Sequence, residues 1–228
     1  MLKKYIQILK RKRKAETLLE VIVAIFILTL GSGAATVLIV SAMRANTFSK
    51  DNLIALNLAV EGIEAVRNIR DTNWIKYGFD KENCWNLSPE QTVGACAPDV
   101  SGDYPVIAAG EYVLNFDTAL SAWRIDSQAN TLDLTDAIDD DPYQLFKVDF
   151  IISDSEPDLI LSESTSAAYP NPEPTPYYRM ITIGYPAPSN AQDATEMTVT
   201  SLVQWRQGGQ IHQIELNSIL TNYQKVEN

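Results

Sequence analysis

Leu18 to Val40 reads LLEVIVAIFILTLGSGAATVLIV, and this stretch decides how the rest of the chain must be built. Its twenty-three residues include one charged side chain, Glu20. As a helix rising about 1.5 Å per residue it would be roughly 35 Å long, enough to cross a bilayer core of roughly 30 Å. A secretory signal has a shorter apolar core that ends at a small-residue cleavage site. Ser32-Gly33-Ala34 and Ser41-Ala42 imitate such a site, but the apolar run is too long for one. The stretch therefore predicts a membrane span.

Upstream, Lys3, Lys4, Lys10, Arg11, Lys12, Arg13 and Lys14 crowd the first fifteen residues, which contain no acid. Only Arg44 and Lys50 follow the span closely, so the bias of basic residues places the N-terminus in the cytoplasm and the bulk of the chain outside. The whole chain has 18 basic and 29 acidic residues, a formal −11. Without the seven basic residues of the tip, 11 bases face 29 acids, leaving the remainder at a formal −18. Such a body repels nucleic-acid phosphates and anionic lipid, so no direct nucleic-acid binding is expected.

Downstream, Arg44 to Thr72 lacks proline. It spaces Leu56, Ala59, Ile63, Val66 and Arg70 by three and four residues, with Leu53 and Val60 on the flank, which predicts an amphipathic helix. No strong breaker separates it from the span, so one helix is expected from about Leu18 to Asp71. Glu61, Glu64, Arg67 and Asp71 are expected to form solvated ion pairs on its outer face.

From Ile75 onward, short strand-like runs alternate with turn clusters. Glu111–Phe116, Leu145–Ile152, Tyr178–Gly184, Thr198–Arg206 and Ile211–Leu220 are alternating or rich in β-branched and aromatic residues, which predicts antiparallel sheet. Gly208 and Gly209 predict a tight hairpin between the last two. The acid-rich stretch Asp126–Pro142 reads as an interruption. So does Ser162–Pro176, whose Pro170, Pro172, Pro174 and Pro176 favour an extended loop over a ladder strand. The fold expected is α+β: a long N-terminal helix, half in the membrane and half amphipathic, packed on a C-terminal antiparallel sheet. The divisions are 1–15, a cytoplasmic leader; 16–43, the membrane half of the helix; 44–74, its amphipathic half; and 75–228, a β-rich extracytoplasmic domain.

The junction Lys14-Ala15-Glu16-Thr17-Leu18-Leu19-Glu20, with a basic leader before it and the apolar run starting within it, resembles the leader of type IV prepilins. The resemblance covers residues 10–45. It implies cleavage by a prepilin peptidase between Ala15 and Glu16, and methylation of the new amine. It also implies assembly through Glu16 and Glu20, the fifth residue of the mature chain, with homologous pilin subunits and an inner-membrane assembly machinery, out of membrane lipid into a cell-surface filament. The helix-and-sheet pattern is similar to the lollipop-shaped subunit of that family. Most relatives have glycine before the cut, phenylalanine after it and a proline midway along the helix, where this chain has Ala15, Glu16 and Val37. Pilus and secretion pseudopilus subunits share the pattern. The alternative is a membrane-anchored extracytoplasmic binding or adhesion domain that does not polymerise.

Glu20 within an apolar span requires a partner, and the α-ammonium that a cut neighbour would expose at Glu16 is the one favoured. A capping box from Thr17 to Glu20 is the competing account. Gly31, Ser32, Gly33 and Ala35 offer close helix packing and the soft point of the helix. Cys84 and Cys96, beyond the span, are expected to form a disulfide in a loop from Asn83 to Pro98. The remaining chemistry is sparse. His212, the sole histidine, follows the glycine hairpin as an exposed strand residue, so no multi-histidine metal site can be built. Gly31-Ser32-Gly33 lacks the strand-to-helix setting of a nucleophile elbow. Asp126, Asp133, Asp136, Asp139, Asp140 and Asp141 fit no known calcium loop and read as a solvated acidic segment. No cofactor, metal or enzymatic activity is expected.

Overall fold

The computed structural model describes residues 2–89, 96–99, 102–117, 122–128, 132, 134, 142–150, 158–162, 173–186 and 190–222. The chain divides into two compact units, Met1–Asp51 and Asn52–Asn228.

Helix α1 runs from Leu2 to Lys76, so helix begins well before the expected Leu18 and continues past Asp71. From Leu18 to Phe48 its large apolar side chains are exposed, Leu28 and Leu38 among them. It is long and apolar enough to cross a membrane. Its hydroxyls turn back onto their own backbone: Thr29 Oγ1 donates to the Phe26 carbonyl (2.9 Å), Ser32 Oγ to that of Thr29 (3.1 Å) and Thr36 Oγ1 to that of Ser32 (2.9 Å). These bonds satisfy polar groups that hydrocarbon would not. The helix is unbroken through Gly31 and Gly33, since its internal hydrogen bonds outweigh the weak propensity of two glycines.

In the second unit α1 packs on a sheet that, among the described residues, has seven strands, all paired antiparallel. The strands are β1 (Gly110–Asp117), β2 (Ala122–Gln128), β3 (Gln144–Phe150), β4 (Asp158–Ser162), β5 (Glu173–Gly184), β6 (Glu196–Gln207) and β7 (Gln210–Thr221). Strand β5 is the hub. One side pairs with β6, which pairs with β7; the other pairs with β1 at Ile181–Ile183 and with β3 at Glu173–Tyr178. Gly208 (φ 60°) and Gly209 (φ 81°) turn β6 into β7, as the hairpin reading expects.

The buried face of α1 carries Ala55, Leu58, Ala59, Ile63, Val66 and Ile69. The expected stripe is thus rotated: Leu53, Leu56 and Val60 point outward, and Arg70 lies half-buried over the Trp74 ring, 4.5 Å from its centroid. The reason is proximity. At Gly62 the helix comes close to the sheet, and a Cβ there would fall 2.6 Å from Ser201 Oγ, 2.8 Å from Ile181 Cδ1 and 3.3 Å from Arg179 Cδ.

Two expected interruptions are corrected. Asp126 to Gln128 belong to β2, where Asn115 Nδ2 donates to Asp126 (2.8 Å), and Leu132 and Leu134 are buried against Val113, Tyr143 and Met180. Part of the acid-rich segment therefore covers a core. Glu173 to Pro176 belong to β5, with Pro174 opposite Phe146. Proline is tolerated here because the β3–β5 register shifts at this point. Thr175 Oγ1 donates to the Leu145 carbonyl (2.7 Å) in its place. Strand β4 is absent from the sequence reading, and Ile151, Ile152 and residues 163–172 lie outside the described residues.

Cys84 and Cys96 form the expected disulfide, with Cα atoms 5.8 Å apart. Cys84 closes a short helix, α2 (Lys81–Cys84), capped by Asp80, rather than lying in a loop. The pair is buried with Tyr77 and Leu87. Asn73 at the end of α1 anchors the following segment by donating to the carbonyls of Trp85 (3.2 Å) and Leu87 (2.9 Å). Replacing both cysteines with serine is expected to cost about 2–3 kcal/mol in a urea titration. Reduction should add about two mass units to the intact protein, one proton per freed thiol.

Tyr185 ties the end of β5 to this region: its hydroxyl donates to the Ile107 carbonyl (2.6 Å) and accepts from Asn86 Nδ2 (3.2 Å). Burial raises its pKa well above the ordinary tyrosine value, and burial also raises that of Tyr112. Below about pH 10 both the folded and the unfolded chain keep the phenol proton, so stability does not depend on it. Above about pH 10 the unfolded chain loses the proton while the folded chain holds it, so stability falls. Tyr185→Phe is expected to flatten that loss, with Tyr112 leaving a residue of it. Urea midpoints at a series of alkaline pH values provide the check.

Candidate functional site

The segment around the basic tip and the start of the span lies wholly within α1. Ala15 and Glu16 are consecutive residues of this helix, with Glu20 one turn further on. Because α1 begins at Leu2, Thr17 lies inside the helix, and the full-length chain has no N-cap there. The capping-box account of Glu20 therefore fails for the uncut chain, and a cut after Ala15 would be needed to create that helix end.

Glu20 is exposed, and among the described residues it forms no hydrogen bond or ion pair. The hydroxyls of Thr29, Ser32 and Thr36 are satisfied within the helix, which leaves Glu20 as the polar side chain of the apolar run with no such bond among the described residues. Gly31 and Gly33 have open space where a Cβ would stand, so nothing among the described residues demands glycine there.

A match to the family described as the prokaryotic N-terminal methylation motif covers residues 10–36. The chain carries the type IV pilin and pseudopilin signature. The motif brackets the Ala15–Glu16 junction, Glu20 and the first half of the apolar run, and it supports a precursor processed by a prepilin peptidase. No curated protein and no solved structure matches the chain. The pilin-like fold, an apolar helix with an antiparallel sheet behind it, agrees with the signature.

The ion pairs expected on the outer face of α1 are rearranged. Glu64 pairs with Arg67, and Asp71 pairs with Arg70 (2.8 Å). Glu61 instead reaches Arg179 (3.5 Å), a fully buried residue of β5 whose Nη1 also donates to the Leu58 carbonyl (3.2 Å). Sequence reasoning does not find this link. The available signal is a lone arginine in the phase of Tyr177, Ile181 and Ile183 along β5, all core-facing. His212 is half-buried and stacks on Trp205, with ring centroids 5.6 Å apart, rather than being exposed, because the register sets the two opposite each other. Of the six aspartates, Asp126 sits in β2 and the other five lie outside the described residues.

Proposed function

We propose that the chain is the precursor of a filament subunit. It is inserted with its basic tip in the cytoplasm, cut between Ala15 and Glu16, and assembled through the apolar half of α1 into an extracytoplasmic type IV pilus or pseudopilus. The observation that carries this reading is the coincidence of the methylation motif at 10–36 with a helix whose apolar side chains are exposed among the described residues. An exposed apolar helix requires lipid or other helices, and a filament core supplies the latter once the subunit leaves the bilayer. In that packing Gly31, Ser32, Gly33 and Ala35 allow neighbouring helices to approach closely, and Gly31 to Gly33 is where the helix would loosen.

Chemically, the cut supplies the partner that Glu20 lacks. Hydrolysis of the Ala15–Glu16 peptide bond creates an α-ammonium at Glu16, and this cation on an incoming subunit neutralises Glu20 of a subunit already in place. The order of events follows: an uncut chain has no such amine and cannot form the pair.

The test is the mass of the mature N-terminus, measured with a cognate prepilin peptidase present and absent. The expected result is a chain beginning at Glu16 only when the peptidase is present, with a further methyl mass if the amine is modified. Retention of Met1 in both samples would overturn the reading in favour of a membrane-anchored domain that does not polymerise.

A further inference from the structure

We infer that Asp80, Cys84 and Cys96 form a site for a thiophilic divalent cation of the zinc class when the disulfide is reduced, so that the same two sulfurs hold either a covalent bond or an ion. A carboxylate oxygen of Asp80 and the two Sγ atoms all lie within 4.8 Å of one another. Around a four-coordinate zinc, with bonds of roughly 2.3 Å to sulfur and 2.0–2.2 Å to oxygen, neighbouring ligand atoms stand about 3.6–3.8 Å apart. Once the S–S bond is broken, the sulfurs part and the carboxylate closes by about 1 Å to meet that geometry, which small side-chain rotations supply. Three protein ligands leave the fourth position to water.

Local structure assembles these three groups. Asp80 caps α2, its Oδ1 accepting from the Asn83 N–H (3.3 Å), and the same turn sets Cys84 four residues on, with the Cys84 N–H donating to the Asp80 carbonyl (3.2 Å). Asn83 Nδ2 donates to both carboxylate oxygens (3.0 and 3.1 Å), and the Tyr104 hydroxyl donates to Oδ2 (3.4 Å). Outer partners of this kind orient a ligating carboxylate. Cys84 and Cys96 are buried with Tyr77 and Leu87, and Asp80 is half-buried beside them. The apolar walls strengthen the attraction between thiolate and cation, while the carboxylate side admits the ion. Two thiolates favour zinc over calcium or magnesium, which take oxygen ligands.

The two states exclude each other. A phosphine reductant passes two electrons to the disulfide; the sulfurs take two protons from water, whose oxygen ends on phosphorus. The cation then displaces both thiol protons, and Asp80 binds as the carboxylate. A small disulfide oxidant reverses the change: the two thiolates give it two electrons, it leaves as two thiols after taking up two protons, the Cys84–Cys96 bond reforms and the ion departs.

The test uses the full-length chain in detergent, reduced with a phosphine and titrated with Co²⁺. The expected result is one Co²⁺ per chain, a thiolate-to-cobalt charge-transfer band, the strong visible absorption of four-coordinate cobalt, and displacement of both by Zn²⁺. The oxidised chain should show neither band. Asp80→Asn keeps the size of the side chain but not its charge, and should raise the Kd of the reduced chain for Co²⁺ about tenfold or more. Asp80→Cys replaces the carboxylate with a third thiolate and should restore the affinity with a stronger charge-transfer band. Zn²⁺ should also raise the urea midpoint of the reduced wild-type chain and leave that of the oxidised chain unchanged. No saturable binding by the reduced chain, one Co²⁺ shared between two chains, or an unchanged Kd in Asp80→Asn would overturn the proposal. Loss of binding in both Asp80→Asn and Asp80→Cys would also overturn it, since Asp80 would then only shape α2.

Discussion

Gly62→Val is expected to lower the unfolding free energy of the detergent-solubilised chain by about 3 kcal/mol, near the top of the usual range for overpacking a core. Glycine inside a helix ordinarily costs about 1 kcal/mol relative to alanine, so on local grounds alone alanine at this position would stabilise α1. The tertiary contact reverses the sign. A Cβ at position 62 would stand 2.6 Å from Ser201 Oγ and 2.8 Å from Ile181 Cδ1, and both of those residues are fully buried. Valine adds two more methyl groups in the same place. For Gly62→Ala the gain in helix propensity partly offsets the overlap, leaving a loss of about 1 kcal/mol. Ser201→Ala should relieve it, because Ser201 Oγ is the nearest obstruction and has no hydrogen-bond partner among the described residues. The double mutant should therefore be more stable than the sum of the two single changes by at least about 0.5 kcal/mol. Urea titrations of the four proteins settle the matter, and strict additivity would show that α1 moves away from the sheet instead.

Glu20→Gln is expected to reduce incorporation into filaments about tenfold at matched expression, equivalent to about 1.4 kcal/mol of assembly free energy. Glutamine keeps the size and most of the hydrogen bonding of glutamate, so insertion in the membrane and cleavage after Ala15 should continue. It removes the charge that an incoming α-ammonium would meet. The carboxylate of Glu16 stands beside that ammonium in sequence and weakens its attraction, which limits the defect to a partial one. Quantifying subunits in sheared filaments against those in the membrane is the measurement. Wild-type incorporation with confirmed cleavage would sink the pairing role and leave a capping box, formed at the new helix end, as the better account of Glu20.

The parts of the molecule legible from sequence are those governed by local pattern or by solvent. The apolar run of α1, the glycine hairpin and five of the seven strands among the described residues follow from hydropathy, turn chemistry and alternation over a few residues. Strands β2 and β4 escaped this reading. Asp126 to Gln128 of β2 are polar and continue an acid-rich run, so their strand character comes from the full ladder with β1 rather than from their own preference. Pro174 and Pro176 argue locally against a strand, and only the irregular pairing of β3 with β5 accommodates them.

By itself the sequence predicted a different environment for each half of this protein: an unbroken apolar run is expected to face lipid or other helices, a basic tip to resist translocation, and cysteines beyond that run to meet an oxidising compartment. The tertiary structure decided how the apolar stripe of α1 is rotated against the sheet. Periodicity located Ala59, Ile63 and Val66 on that stripe but not the distance of closest approach, and the close approach at Gly62 goes with Ala55 turned inward and Leu53 and Leu56 left outside. The same contact brings Glu61 within reach of Arg179, 118 residues further along the chain, a pairing that no local spacing encodes because the sheet, and not the helix, supplies the second charge.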